Sequence, residues 1–200
     1  RFGYLCRDEQ ESDYHIRPDQ DRLRVLGEGA AMMVMEPRSV AVERDANILA
    51  EVLVYGMAMD TENFTETNTS RDGLRFAVQT ALERAELDAD ALDLVVWAPM
   101  GNSTDFKVVD IVSETLGERA DTVPMVTTTF NTGHIASASI LVSLIASLHA
   151  LRDGNTELWP QRTGLESIDG RTLKQTPNCV LVLAGSDLGY NFATILRMER

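Results

Sequence analysis

The stretch T-T-T-F-N-T-G-H-I-A-S-A-S-I-L-V-S-L-I-A-S-L-H-A-L, residues 127–151, decides the fold of this chain. It contains no acidic side chain, lysine or arginine. Its apolar residues lie on all sides, so it predicts a helix from about 132 to 152 that is mostly buried. Ser139, Ser143 and Ser147 recur at every fourth position and form a narrow stripe of small side chains. Such a stripe lets a second helix approach closely, with the serine hydroxyls bonded back to the preceding turn. The stretch therefore predicts a helix between sheets, packed against a like helix.

Apolar runs of strand length lie on both sides of this helix. Two amphipathic helices, one capped by Ser70 and one closed by Gly117, separate the middle runs. Alternation of strands with helices predicts the α/β class, and the last two runs predict an antiparallel pair. The predicted strands are A-A-M-M-V-M-E (30–36), I-L-A-E-V-L-V-Y-G-M-A-M (48–59), L-D-L-V-V-W-A (92–98), V-P-M-V-T-T (123–128), C-V-L-V-L-A (179–184) and F-A-T-I-L-R-M (192–198).

Composition limits the function classes. A formal net charge of −13 argues against a nucleic-acid or anionic-membrane surface, because both need clustered lysine and arginine. Residues 134–151 carry four serines and His149, and Arg152-Asp153-Gly154 follows, so we expect a buried helix and no membrane span. Cys6 and Cys179 make no disulfide framework, which fits the reducing cytoplasm. No C-x-x-C or H-x-x-x-H spacing occurs, and we expect neither a metal nor a cofactor.

Four motifs, in order, carry a resemblance to a known family. They are R-P-D-Q-D-R-L-R-V-L-G-E-G-A (17–30), the apolar run 30–36, T-G-H (132–134) opening a small-residue helix that ends in L-R-D-G, and G-S-D-L-G-Y-N-F-A-T-I-L (185–196). Each motif alone is weak. Together they resemble the C-terminal half of a β-ketoacyl synthase, a member of the thiolase superfamily.

The resemblance implies a fold and a domain organisation. The C-terminal half of that family is β-α-β-α-β-β, and two such halves pack as α-β-α-β-α layers with helices between the sheets. Residues 1–26 are polar and irregular, so we expect a loop leading in from an N-terminal half, followed by the C-terminal thiolase-like domain at 27–200. We therefore expect an upstream half and do not expect this chain to be a stable unit alone.

The resemblance also implies catalytic positions. The family condenses an acyl thioester with a malonyl thioester, using a cysteine from its N-terminal half and two histidines from this half; the second histidine, in T-G-H, corresponds to His134. A-P-M-G-N-S-T-D (98–105) corresponds to the H-G-T-x-T motif, which places Met100, or Pro99 in an ungapped alignment, where the first histidine belongs. Neither side chain can donate a hydrogen bond. The family's lysine corresponds to Thr129.

The turn that gates the acyl site in the family is altered as well. Asp187 and Leu188 stand where the family has an aromatic residue and a glycine turn, and a carboxylate there would disfavour a fatty tail. Phe130 is a further candidate: it either lines the remains of an acyl pocket or packs in the core.

Because catalytic residues of the family are replaced at several positions, the chain resembles one branch of it, the chain length factor subunits of type II polyketide synthases, also called ketosynthase β. Such a subunit implies an active ketosynthase as partner in a heterodimer, and acyl carrier protein as partner of the complex. His134 is then retained for a structural role and no longer takes part in catalysis. The alternative is an active β-ketoacyl-ACP synthase that uses an upstream cysteine with His134, and a third hypothesis is a structural or binding homodimer. For Met32, Met33, Met35, Met57 and Met59 we expect strand core, with a tunnel or interface lining as the alternative.

Overall fold

A five-stranded mixed sheet organises the chain. In the computed structural model, the described residues are 26–60, 72–99, 104–152, 177–186 and 189–198. The sheet order is β1-β5-β4-β2-β3. Pairing is antiparallel for β1–β5 and β4–β5 and parallel for β2–β4 and β2–β3, so β1 to β4 share one direction. The strands are β1 (Ala50–Met59), β2 (Leu92–Trp97), β3 (Met125–Val126), β4 (Cys179–Gly185) and β5 (Tyr190–Met198).

Helices cover both faces of this sheet. On one face, two long helices pack over a core that includes Trp97, Leu181 and Ile195. On the other face, the last helix packs through Leu144 and Leu148 against valines and leucines of β2, β4 and β5. The helices are α1 (Arg38–Glu43), α2 (Asp72–Ala85), α3 (Thr104–Leu116), α4 (Thr129–Thr132) and α5 (Ala138–Arg152), with short 3₁₀ turns at Ala89–Ala91 and Gly117–Arg119.

The packing of α2 on β1 depends on a glycine. Gly56 is buried in the middle of β1, and a Cβ built on it would lie 2.0 Å from the carbonyl oxygen of Ala77 in α2. Ala77 and Ala81 are both fully buried, so small residues on both elements bring the two backbones together. Any side chain at position 56 would therefore push α2 away from the sheet.

The opposite face of β1 is largely uncovered. Tyr55, Met57 and Met59 alternate with Gly56 and therefore lie on the α5 side of the sheet. Their exposed fractions are 55%, 62% and 49%, and Tyr190 at the start of β5 is 53% exposed. The Tyr55 ring stacks on Phe192 of β5, with centroids 6.1 Å apart. Since α5 packs over β2, β4 and the Leu196–Met198 end of β5, the bare part of this face among the described residues is the apolar patch of Tyr55, Met57, Met59 and Tyr190.

The run 30–36 is not a strand, which corrects the prediction from its composition. Residues 27–37 have no regular secondary structure, and Met32, Val34 and Met35 are 84%, 81% and 67% exposed. An apolar run forms a strand only where a neighbouring strand can pair with its backbone. No described strand pairs with this one. The strand-core prediction is likewise wrong for Met57 and Met59. Met33 alone of the five methionines packs against a core cluster.

The helix expected at 132–152 begins later. A four-residue helix, α4, ends at Thr132, and α5 starts at Ala138. Gly133 and Ala136 have φ of 72° and 47°, and these left-handed residues interrupt the helical path. The described element order also contains one strand–helix pair more than the β-α-β-α-β-β string. No helix among the described residues is long and apolar enough to cross a bilayer.

Candidate functional site

The candidate site lies at one edge of the sheet. Because β1 to β4 are parallel, their carboxyl ends meet there, and open α/β sheets place ligands outside those ends. Pro99 follows β2, and Thr129 and His134 follow β3, so the fold brings all three predicted positions to this edge. Met100, Asp187 and Leu188 lie outside the described residues. Phe130 lies in α4, but its side chain is outside what the structure describes.

A buried network of hydroxyl groups follows β3. Thr127 Oγ1 donates to Thr129 Oγ1 at 3.0 Å and accepts the Thr129 backbone N–H at 3.1 Å. Ser143 Oγ of α5 accepts the Thr128 backbone N–H at 3.1 Å and lies 2.9 Å from Thr128 Oγ1. These four residues are at most 6% exposed. The network is neutral, and it fills the position where the family resemblance places a lysine.

A tight backbone crossing fixes the segment that carries His134. The Gly27 backbone N–H donates to the His134 carbonyl oxygen at 3.2 Å, and Leu26 forms a parallel bridge with His134. The crossing is so close that a Cβ on Gly27 would lie 1.8 Å from the Thr132 carbonyl oxygen. On the other side of His134, the Ile135 N–H donates to Ser139 Oγ at 2.8 Å. The half-buried His134 therefore has a backbone held on both sides.

Gly133 supplies a conformation that other residues avoid. Its φ of 72° and ψ of 177° lie in a region used almost only by glycine, and its Cβ would lie 2.7 Å from the Gly27 nitrogen. We expect Gly133→Ala to destabilise the protein by about 2 kcal/mol. It should also speed hydrogen exchange at the Gly27 amide, since that amide bonds to His134. Gly29→Ala is the control, because its Cβ would meet only the flexible Ile135 side chain, at 3.1 Å. Equal effects of both variants would contradict this account.

A hydrogen-bonded cluster around one buried carboxylate lies at the same edge and has no signal in the sequence. Asp60, directly after β1, is 8% exposed. Its Oδ1 accepts the Gly73 N–H and its Oδ2 accepts the Asn191 side-chain N–H, both at 2.6 Å. Asn191 also donates to the Gly189 carbonyl oxygen at 2.9 Å. The cluster joins the end of β1, the start of α2 and the turn before β5. Only the strand register reveals that residues this distant in sequence meet.

Cys179 does not belong to the site. It begins β4 and therefore lies at the opposite edge of the sheet, 2% exposed. Burial raises the pKa of its thiol; Arg197 acts in the opposite direction, and Asp93 raises the pKa further. A thiol that is buried and protonated is a poor nucleophile, which agrees with the sequence interpretation of a small buried hydrophobe.

This environment predicts slow labelling of Cys179. We expect iodoacetamide at pH 7.5 to leave Cys179 unmodified in the folded protein and to modify it readily in urea, since alkylation requires an accessible thiolate. Peptide mass spectrometry measures the extent of alkylation in both states, and it quantifies the Cys6 peptide separately from the Cys179 peptide. Rapid native labelling of Cys179 would show that the thiol is accessible and reactive.

The arrangement supplies little for a condensation. Stabilising an enolate takes positioned donors aimed at the developing oxyanion. Pro99 is buried and has no N–H, and the Thr129 hydroxyl oxygen accepts a hydrogen bond from Thr127 inside the buried network. Of the catalytic positions that the resemblance assigns to this half and the structure describes, only His134 retains an ionisable side chain.

Sequence comparisons match this chain to one family. Residues 49–161 match the β-ketoacyl synthase, C-terminal domain family. The 3-oxoacyl-[acyl-carrier-protein] synthase 2 of Coxiella burnetii is 30% identical over 158 residues, covering 77% of this chain and 37% of the relative. The enzyme of the same name from Rhizobium meliloti is 32% identical over 129 residues, covering 64% and 31%. The matched part thus spans about a third of these curated relatives.

Solved structures with the same fold include two from polyketide systems. The ishigamide ketosynthase/chain length factor has a TM-score of 0.77 and 24% identity, covering 100% of this chain and 49% of its own. A type II PKS acyl-carrier protein in complex with its ketosynthase bound to the hexaketide has a TM-score of 0.80 and 17% identity, covering 99% and 51%. At these identities the likeness concerns the fold, and it confirms the predicted α/β, thiolase-like half.

Proposed function

The chain belongs to the β-ketoacyl synthase family, and from that premise we propose that it is the C-terminal half of a chain length factor. Such a subunit does not catalyse condensation; it pairs with an active β-ketoacyl-ACP synthase and controls chain elongation. The observation that carries the proposal is Thr129, which is fully buried in a neutral hydroxyl network at the position of the family's lysine.

The packing around position 129 is suited to a threonine and not to the lysine of the family. A lysine needs a partner for its ammonium group, and burying an unpaired charge is costly. Around Thr129, the described contacts come from Thr127, and Thr127 and Thr128 in turn contact Ser143. Hydroxyls have replaced the electrostatic environment that an active site of this family would need, and Pro99 follows β2 without a donor.

The bare apolar patch on β1 and the start of β5 supports the two-domain organisation. We propose that residues 27–200 are one half of the family fold, with 1–26 leading in from the other. The apolar face formed by Tyr55, Met57, Met59 and Tyr190 is then covered by a helix of the other half, as α5 covers the β2–β4 part. Coverage of only 49% and 51% of the two structural relatives leaves room for such a half.

Methionine oxidation tests this cover. In the full-length protein we expect Met57 and Met59 to resist hydrogen peroxide, with rates nearer to those of buried methionines than their exposed fractions here predict. Met32 and Met35 should behave in the same way if the run 30–36 joins the other half. Peptide mass spectrometry gives each rate. Rapid oxidation of all four would show that no second half covers them.

The partners follow from the same proposal. They are an active ketosynthase in a heterodimer and, through it, acyl carrier protein carrying a polyketide, polyene or fatty-acid-like chain. The complex is then cytoplasmic. The subunit itself takes no cofactor, since its role is to shape the path of the growing chain.

Copurification with mass spectrometry tests the function. We expect the full-length protein, coexpressed with an active β-ketoacyl-ACP synthase from the same source, to purify as a heterodimer. After incubation with acyl and malonyl carrier protein, the acyl adduct should appear on the partner and not on this subunit. The partner's nucleophile variant is the control, and it should remove the adduct. A covalent acyl group on this subunit would overturn the proposal.

Two observations favour a second candidate, an active synthase. The curated relatives named above are 3-oxoacyl-[acyl-carrier-protein] synthases, and T-G-H is retained with His134 held firmly in place. Losing a working acid–base group costs about 10²–10⁴-fold in rate. Condensation by the protein without a partner, with a loss of that size in His134→Ala, would establish this candidate. Under the chain length factor proposal, His134→Ala lowers the heterodimer's rate by far less than the ~10²-fold expected for a working acid–base group.

A further inference from the structure

Two serine hydroxyls of α5 contact the His134 segment at its two ends. Ser143 Oγ accepts the Thr128 N–H at 3.1 Å, on the β3 side. Ser139 Oγ accepts the Ile135 N–H at 2.8 Å, one residue beyond His134. Both serines are buried, with exposed fractions of 1% for Ser139 and 0% for Ser143. Both hydroxyls thus serve the preceding segment, where the sequence had predicted bonds to the preceding turn of one long helix.

The helix that carries these hydroxyls is firmly placed. Leu144 and Leu148 of α5 belong to the core on this face of the sheet. The segment between Thr128 and Ile135 has only the single turn of α4, followed by the left-handed Gly133. Its other described anchor is the bridge from Leu26 to His134. The path of this segment is therefore defined by α5 on one side and by residues 26–27 on the other.

We propose that Ser139 and Ser143 are positioning residues for His134. Their hydroxyls fix the backbone on either side of His134, and so fix the direction in which its imidazole leaves the segment. A backbone N–H that loses its acceptor bonds to another protein group or to water, and we expect the path of the segment to shift as it does so. This role concerns the site in either candidate function and does not depend on which of them is right.

Histidine NMR of the full-length protein tests the proposal, with its partner subunit where one copurifies. Comparison with His134→Gln identifies the His134 ring signals among those of the other histidines. We expect Ser139→Ala and Ser143→Ala each to shift those signals and the midpoint of their pH titration. Hydrogen exchange at the Ile135 amide should rise about tenfold in Ser139→Ala. Ser137→Ala, which alters an exposed serine between Ile135 and the start of α5, should change none of these.

A conservative variant separates positioning from stability. Ser143→Thr keeps the hydroxyl, so the His134 signals should stay close to wild type. Should Ser143→Ala fail to fold, Ser139→Ala and Ser143→Thr decide the matter by the same signals. Unchanged His134 signals and titration in the folded alanine variants, with only a lower Tm, would overturn the proposal. A perturbation by Ser143→Thr as large as that by alanine would also count against a role of the hydroxyl.

Discussion

Thr129→Lys, which restores the residue that the family resemblance places there, is expected to destabilise this protein by about 3 kcal/mol or more. Thr129 is fully buried, and its described side-chain contact is with another hydroxyl. An ammonium at this position would lose its hydration without gaining a carboxylate among the described contacts of the network. Urea unfolding at pH 7 measures the loss.

A matched variant isolates the effect of burial. Asn131→Lys adds the same charge two residues later, at an exposed position of the same short helix, and should change stability little. The two variants should also differ in pH dependence. A buried lysine has a lowered pKa in the folded state, so Thr129→Lys recovers stability as pH rises from 7 towards the ordinary lysine pKa. Equal stability of the two variants at pH 7 would show that the site still accommodates a cation.

Gly56→Ala is expected to cost about 3 kcal/mol, for a purely steric reason. The new methyl group would lie 2.0 Å from the Ala77 carbonyl oxygen and 3.1 Å from the Ala81 nitrogen. Both atoms belong to the backbone of α2, so no side chain can turn away to relieve the contact. The helix must move from β1, which loosens the core around Leu74 and Val78.

Gly117→Ala is the control for replacing a glycine. Gly117 has φ of 54°, but a Cβ added there would meet no atom within 4 Å, so the cost is conformational alone, about 1 kcal/mol. Urea unfolding compares the two variants. A cost for Gly56→Ala no larger than for Gly117→Ala would mean that α2 and β1 separate more easily than their packing indicates.

Most of the strands could be predicted from the sequence where both partners lie in the described chain, but the predicted strand 123–128 shortens to Met125–Val126. The runs 92–98 and 179–184 coincide with β2 and β4 to within one residue, and the final antiparallel pair forms as expected. The run 30–36 has equal apolar content but no described strand to pair with. The composition of a segment shows how much apolar surface it could bury. It does not show whether another part of the protein packs against that surface.

The site could be predicted only in part. The order of the motifs identified Pro99, Thr129 and His134 as site positions, and the fold places all three at one edge of the sheet. The interruption of the helix at Gly133 could not be predicted, because apolar spacing continues through a left-handed turn. The hydroxyl partners of Ser143 could not be predicted either, because spacing along a helix does not identify which other segment packs against it.

The Leu26–His134 bridge has a consequence for how the molecule folds. It joins residues roughly a hundred positions apart, and the chain between them includes β1, β2 and β3. Closing so long a loop is unfavourable until the intervening strands have already brought its ends near each other. We therefore expect the crossing of Gly27 and Gly133 to form late in folding. Early folding intermediates would then contain most of the sheet while His134 still lacks its final environment.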